Sequence, residues 1–82
     1  MISCQFSLYP LGVEDLSPGI NAAVAELASL GLEPDVGPMS TYMMGDSGLV
    51  FEGLKRAFDA AARAGDVVMT VTVSNACPLP PA

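Results

Sequence analysis

Along residues 2 to 9, apolar Ile2, Cys4, Phe6 and Leu8 alternate with polar Ser3, Gln5, Ser7 and Tyr9. A period of two sends each set to its own side of an extended chain, so the run predicts a strand with one face on a core. After PLGVEDLSPG the period lengthens, and Ile20, Ala23, Val24, Leu27 and Leu30 recur at helical spacing. Ser17 is the expected cap, and Pro18 suits a first helical turn, where its missing N–H is not needed. Gly31 is the expected stop, because glycine takes the left-handed conformation without a Cβ clash. A helix over 18–30 follows.

The stretch LEPDVGPMSTYMMGDSG holds two further strands. Pro34, Gly37 and Pro38 exclude a central position, so residues 32–37 are expected as a short edge strand. Residues 39–45 form the better strand, with β-prone Thr41 and Tyr42. Asp46 or Ser47 caps a second helix, whose apolar stripe is Val50, Leu54, Ala57, Phe58 and Ala61 and whose stop is Gly65. VVMTVTVS at 67–74 is the last strand. The expected domain covers 1–78, and 79–82 form a Pro-rich tail.

The order β-α-β-β-α-β, with right-handed crossovers, predicts an α+β domain of ferredoxin-like βαββαβ topology. Its four-stranded antiparallel sheet has the order 4-1-3-2, with two helices on one face. The other face is left open. It should carry Ser3, Gln5, Ser7 and Tyr9 from the first strand and Ser40, Tyr42 and Met44 from the third. The last strand should add Val68, Thr70, Thr72 and Ser74. None of these is charged. Such a face suits packing on a second sheet or a polar pocket between subunits, with a solvated Ser/Thr surface as the alternative.

Composition points the same way. The chain has 82 residues and only 15% charged ones, against about 25% in an average domain. So small a core is often supplemented by association, and a homodimer or homotetramer through the open face is expected. The net charge is −6, and the three cations, Lys55, Arg56 and Arg63, all fall in the second helix. Nucleic acid is therefore an unsuitable partner. No apolar run approaches the ~20 residues of a membrane span, and no signal-peptide pattern opens the chain, so the cytoplasm is expected. Cys4 and Cys77 should be reduced there. Strands one and four run antiparallel side by side, so the start of one meets the end of the other and the two sulfurs can approach, which leaves a disulfide or a two-thiolate site as the alternative.

Catalytic chemistry has little to work with. The sequence lacks histidine and any phosphate-binding glycine loop, so no enzyme activity, cofactor or metal is expected. Asp46 could face a cationic ligand, but it equally suits the helix cap.

Three segments carry a family likeness: CQFSLYPL at 4–11, MSTYMMGD at 39–46 and VTVSNACP at 71–78. They resemble the thiamine/hydroxymethylpyrimidine-binding proteins of the YkoF type. The resemblance implies a ferredoxin-like domain that binds thiamine or its hydroxymethylpyrimidine precursor in support of thiamine uptake or salvage. Proteins of that type carry two such domains in tandem. This chain has one, so two subunits are expected to supply what the tandem halves supply.

An aminopyrimidine offers ring-nitrogen acceptors and an amine donor, which hydroxyls and amides match. The candidate binding residues within or beside those segments are Ser7, Tyr9, Ser40, Thr41, Tyr42, Thr72, Ser74 and Asn75. A pocket between sheet and helices would use Thr41 and the strand ends. A pocket on the open face would use Ser7, Tyr9, Ser40 and Thr72. Two other readings stay open: a structural or regulatory oligomerisation domain that pairs sheets and senses another small ligand, and a small enzyme with a carboxylate base.

Overall fold

The structure is a computed structural model and describes residues 1–12, 14–63 and 65–76. Its elements are β1 (Ile2–Pro10), α1 (Ser17–Ser29), β2 (Asp35–Val36), β3 (Thr41–Gly45), α2 (Ser47–Ala62) and β4 (Val67–Ser74). The sheet runs β2-β3-β1-β4, with every neighbouring pair antiparallel. This is the ferredoxin-like arrangement that the sequence predicts.

Register decides which residues share a face. Cys4 lies opposite Met43 on one side and Val73 on the other, and Phe6 lies opposite Thr41 and Val71. Directly opposed residues of an antiparallel pair point the same way. Cys4, Phe6, Leu8 and Met43 therefore meet the helices, where they pack with Ala23, Leu27, Val50, Leu54, Ala57 and Ala61. The opposite face shows the rows Met44–Ser3–Ser74 and Asp35–Tyr42–Gln5–Thr72. Asp35, at the β2 margin, puts one carboxylate on a face otherwise built from uncharged side chains.

Both helix ends have local causes. Asp15 Oδ1 accepts a hydrogen bond from Ser17 N at 3.0 Å, so the carboxylate satisfies an orphan donor of α1. The expectation that Ser17 is the cap is corrected: Leu16 stands at the cap position, and Ser17 is already helical. At the other end Gly31 has φ +82°, Gly31 N donates to Ala28 O, and Leu32 N donates to Leu27 O. This double closure satisfies two terminal carbonyls and folds Leu32 back into the core. Asp46 caps α2, accepting from Gly48 N at 3.1 Å.

The stripe of α2 needs one correction. Phe58 is 38% exposed, and Ala60 is buried in addition to the expected alanines. Phe58 falls at the rim of the buried face, while small residues occupy its middle. Gly53 marks the tightest approach, because a Cβ there would sit 2.8 Å from Leu32 Cδ1 and 2.9 Å from Leu27 Cδ2.

The strands at the two sheet margins differ. β2 has two residues, against the six expected, and β3 starts at Thr41 instead of 39. Gly37 N donates to Ser40 O at 2.8 Å, so the chain turns where both strands were expected to continue. Pro34 and Pro38 add no N–H for pairing. β4 is eight residues long, with neither a charge nor a proline. Its Val71 and Val73 share the helix side yet stay 42% and 36% exposed, because this margin extends past the helix cover. Cys4 is buried beneath the helices. Cys77 and the tail 79–82 lie outside the described residues.

Candidate functional site

The two ladders of β1 end at different points. Pairing with β4 continues to Pro10 opposite Val67, whereas pairing with β3 stops at Phe6 opposite Thr41. The turn through Gly37 draws β3 away from the remaining end of β1. A cleft of about 270 Å³ opens there, between the separated strands and α1. The buried Phe6, Leu8 and Ala23 lie deep in its lining. Leu16, Ile20 and Val24 of α1 form one wall, and the chain from Val36 to Thr41 forms the other. Exposed Tyr9, Leu16, Val36 and Met39 surround the mouth.

Two hydrogen bonds hold the loop wall from behind. Gln5 Nε2 donates to Ser40 Oγ at 2.8 Å, and Ser7 Oγ donates to Met39 O at 2.9 Å. Both donors sit on the open side of β1. Thr41, 6% exposed, lies on the helix side and borders the cleft directly.

Four of the eight candidate residues come together here: Ser7, Tyr9, Ser40 and Thr41. The other four stand apart from the cleft. Tyr42 Oη donates to Ser3 Oγ at 3.2 Å across the open face. Thr72 lies opposite Gln5 on that same face. Ser74 Oγ accepts from Ala76 N at 3.0 Å, closing the turn after β4, and Asn75 is exposed beside it. The cleft also takes residues that the hydroxyl pattern does not reveal: Leu16, Ile20, Val24, Val36 and Met39. Ile20 and Val24 belong to the α1 stripe, and their incomplete burial is the mark of a stripe that runs past the filled core.

The lining is mainly apolar, its hydroxyl-bearing residues are Ser7, Tyr9, Ser40 and Thr41, and among the described residues it holds no Lys, Arg, Asp or Glu. Two ionisable groups elsewhere are perturbed. Burial pushes the Cys4 thiol above its usual range. The hydrogen bond to Asp59 and then its charge raise Lys55. Neither borders the cleft. Glu14, Asp15 and Asp46 are all exposed. Among the described residues no group of three His, Cys, Asp or Glu is placed to hold a metal. No described helix is long and apolar enough to cross a membrane. A cleft of this kind can take a flat, largely apolar ring and meet a few of its polar atoms with hydroxyls.

Solved structures share this architecture. A domain of unknown function (DUF77) from Bacillus cereus is 24% identical, with a TM-score of 0.78, over 89% of this chain and 73% of its own. The hypothetical protein MJ1052 from Methanocaldococcus jannascii is 20% identical, with a TM-score of 0.84, over 96% and 84%. A candidate thiamine biosynthesis/salvage protein, TM0486 from Thermotoga maritima, is 21% identical, with a TM-score of 0.75, over 88% and 80%. At these identities the likeness concerns the fold. No curated protein matches the sequence. The sequence profile of the YKOF-related Family matches residues 1–79, nearly the whole chain. The chain belongs to the YKOF-related family.

Proposed function

We propose that this protein binds thiamine or its hydroxymethylpyrimidine precursor, without catalysing a reaction, in support of thiamine uptake or salvage. The observation that carries the reading is the cleft between α1 and the parted strands, in a chain of the YKOF-related family. Tyr9 and Met39 at the mouth offer an aromatic face and a soft sulfur to a pyrimidine ring. Thr41 offers a hydroxyl to its nitrogens and amine, while the Ser7 and Ser40 hydroxyls hold the loop wall in place. The absence of a carboxylate from the described lining supports a binder over a general-base enzyme. The name of the Thermotoga maritima relative points to the same area of metabolism. A cytoplasmic protein fits this role.

Calorimetric titration with thiamine and with hydroxymethylpyrimidine tests the proposal. A ligand at 100 times its dissociation constant should add about 2.7 kcal/mol of stability. Neither heat nor thermal stabilisation at millimolar ligand would overturn it.

The open face supports a second part of the reading, assembly of two or four copies. It is broad, and Tyr9 and Val68 are exposed on it in one row. A carboxylate introduced on the open face by Thr72→Glu would put a charge into such an interface. Sedimentation should then shift towards the monomer, and a parent that is itself monomeric would remove this part.

A further inference from the structure

We infer that the cleft discriminates by charge: it accepts the unphosphorylated heteroaromatic alcohol and rejects its phosphate ester. The inference rests on the binding proposed above and names which form of the ligand the site takes. Thiamine and hydroxymethylpyrimidine each carry a primary hydroxyl, the position where a phosphate would be attached. Such a group brings about −1.5 to −2 charges at neutral pH. Burying it requires cationic side chains or unoccupied backbone N–H groups.

The cations are elsewhere. All three lie on α2 or its end, and each faces a carboxylate: Lys55 with Asp59 at 3.0 Å, Arg56 with Glu52 at 3.1 Å and Arg63 with Glu26 at 3.8 Å. None borders the cleft.

The N-terminus of α1 does reach the cleft, through Leu16 and Ile20. A helix start is the usual backbone cradle for a phosphate. Here two of its donors are already lost. Pro18 has no N–H to offer, and the Ser17 N–H is donated to Asp15 Oδ1 at 3.0 Å. The Asp15 carboxylate sits at the positive end of the helix dipole and borders the neighbouring hollow with Pro18 and Gly19. It is next in sequence to Leu16 of the cleft wall, so a phosphate arriving at this helix start would meet a like charge. Exposed Asp35, next in sequence to Val36 of the opposite wall but on the open face of the sheet, adds a second carboxylate at longer range. The net charge of −6 works in the same direction at longer range. A neutral pyrimidine or the thiazolium cation meets none of this opposition.

The test is parallel titration of hydroxymethylpyrimidine, thiamine and the monophosphate ester of each, at near-physiological and at raised salt. Each ester should bind at least about tenfold more weakly than its alcohol, a difference of about 1.4 kcal/mol. Added salt should narrow that gap, because it screens the repulsion. Asp15→Asn keeps a capping oxygen and removes the charge, so it should narrow the gap by improving the ester alone. Esters that bind as tightly as the alcohols overturn the inference and leave the proposed function standing. A gap that neither salt nor Asp15→Asn changes overturns the charge-based discrimination. Silence from all four ligands overturns the proposed function, and the inference with it.

Discussion

Gln5 Nε2 donates to Ser40 Oγ at 2.8 Å, so a side chain on the open face of the sheet anchors one wall of the cleft. The bond spans β1 to the loop just where the β1–β3 ladder has ended. Gln5→Ala should therefore loosen the wall more than it weakens the fold. The pair is exposed, and its loss should cost at most about 1 kcal/mol in urea unfolding. Ligand binding would have to order the loop afresh, so affinity should fall by about 2- to 10-fold. Equal affinity in parent and variant would show that the wall needs no such anchor.

Thr41 carries the one hydroxyl that reaches the cleft from the helix side of the sheet. Thr41→Val keeps the branched shape and the β preference while removing a donor and acceptor. Hydroxymethylpyrimidine should bind about 2- to 10-fold more weakly, the size of one lost neutral hydrogen bond. Thermal unfolding without ligand should change little. A large drop in stability with unchanged affinity would assign Thr41 to the fold alone.

Gly53 sets helix propensity against packing. Alanine normally stabilises a helix interior by about 1 kcal/mol over glycine. Here its Cβ would sit 2.8 Å from Leu32 Cδ1 and 2.9 Å from Leu27 Cδ2. Both leucines are buried, so neither has room to yield. Overpacking costs about 1–3 kcal/mol, and Gly53→Ala should be net destabilising by up to about 2 kcal/mol. A stabilised variant, read from its denaturation midpoint, would mean that the two helices separate easily.

The buried Cys4 thiol gives stability an alkaline limit. Its pKa is raised by burial, so the folded protein keeps a proton that the unfolded chain loses first. The contribution is whole below the unfolded thiol's pKa, about 8.5, and is lost as pH rises through the higher folded value. In a Cys77→Ser background, unfolding free energy should decline between about pH 8 and 10, and Cys4→Ala should flatten that decline. An identical slope in both proteins would assign the alkaline loss to another group.

The fold was legible because most of its elements are encoded locally. β1 alternates without interruption, Gly31 ends α1 by its own backbone freedom, and Asp46 caps α2 from an adjacent position. What the sequence concealed depends on contacts between distant segments. The extent of β2 is set by the Gly37–Ser40 turn, and the α1 cap is decided between two neighbouring oxygens, those of Asp15 and Ser17. The site divides in the same way. Ser7, Tyr9, Ser40 and Thr41 fall within strand segments or beside them, where hydroxyls can be seen in sequence. Tyr42 and Thr72 share that chemistry, but their place along the sheet keeps them away from the end where β3 departs. Leu16, Ile20 and Val24 were hidden because the path of α1 over the strand ends decides which part of its stripe remains unfilled.

The unequal strands at the sheet margins give the molecule a direction of growth. At about 3.4 Å per residue, β4 offers roughly 27 Å of uninterrupted backbone, and β2 offers roughly 7 Å between prolines. A strand joining from outside can find register along the first and has almost none to find along the second. An added strand therefore has far more backbone to pair with along β4 than along β2.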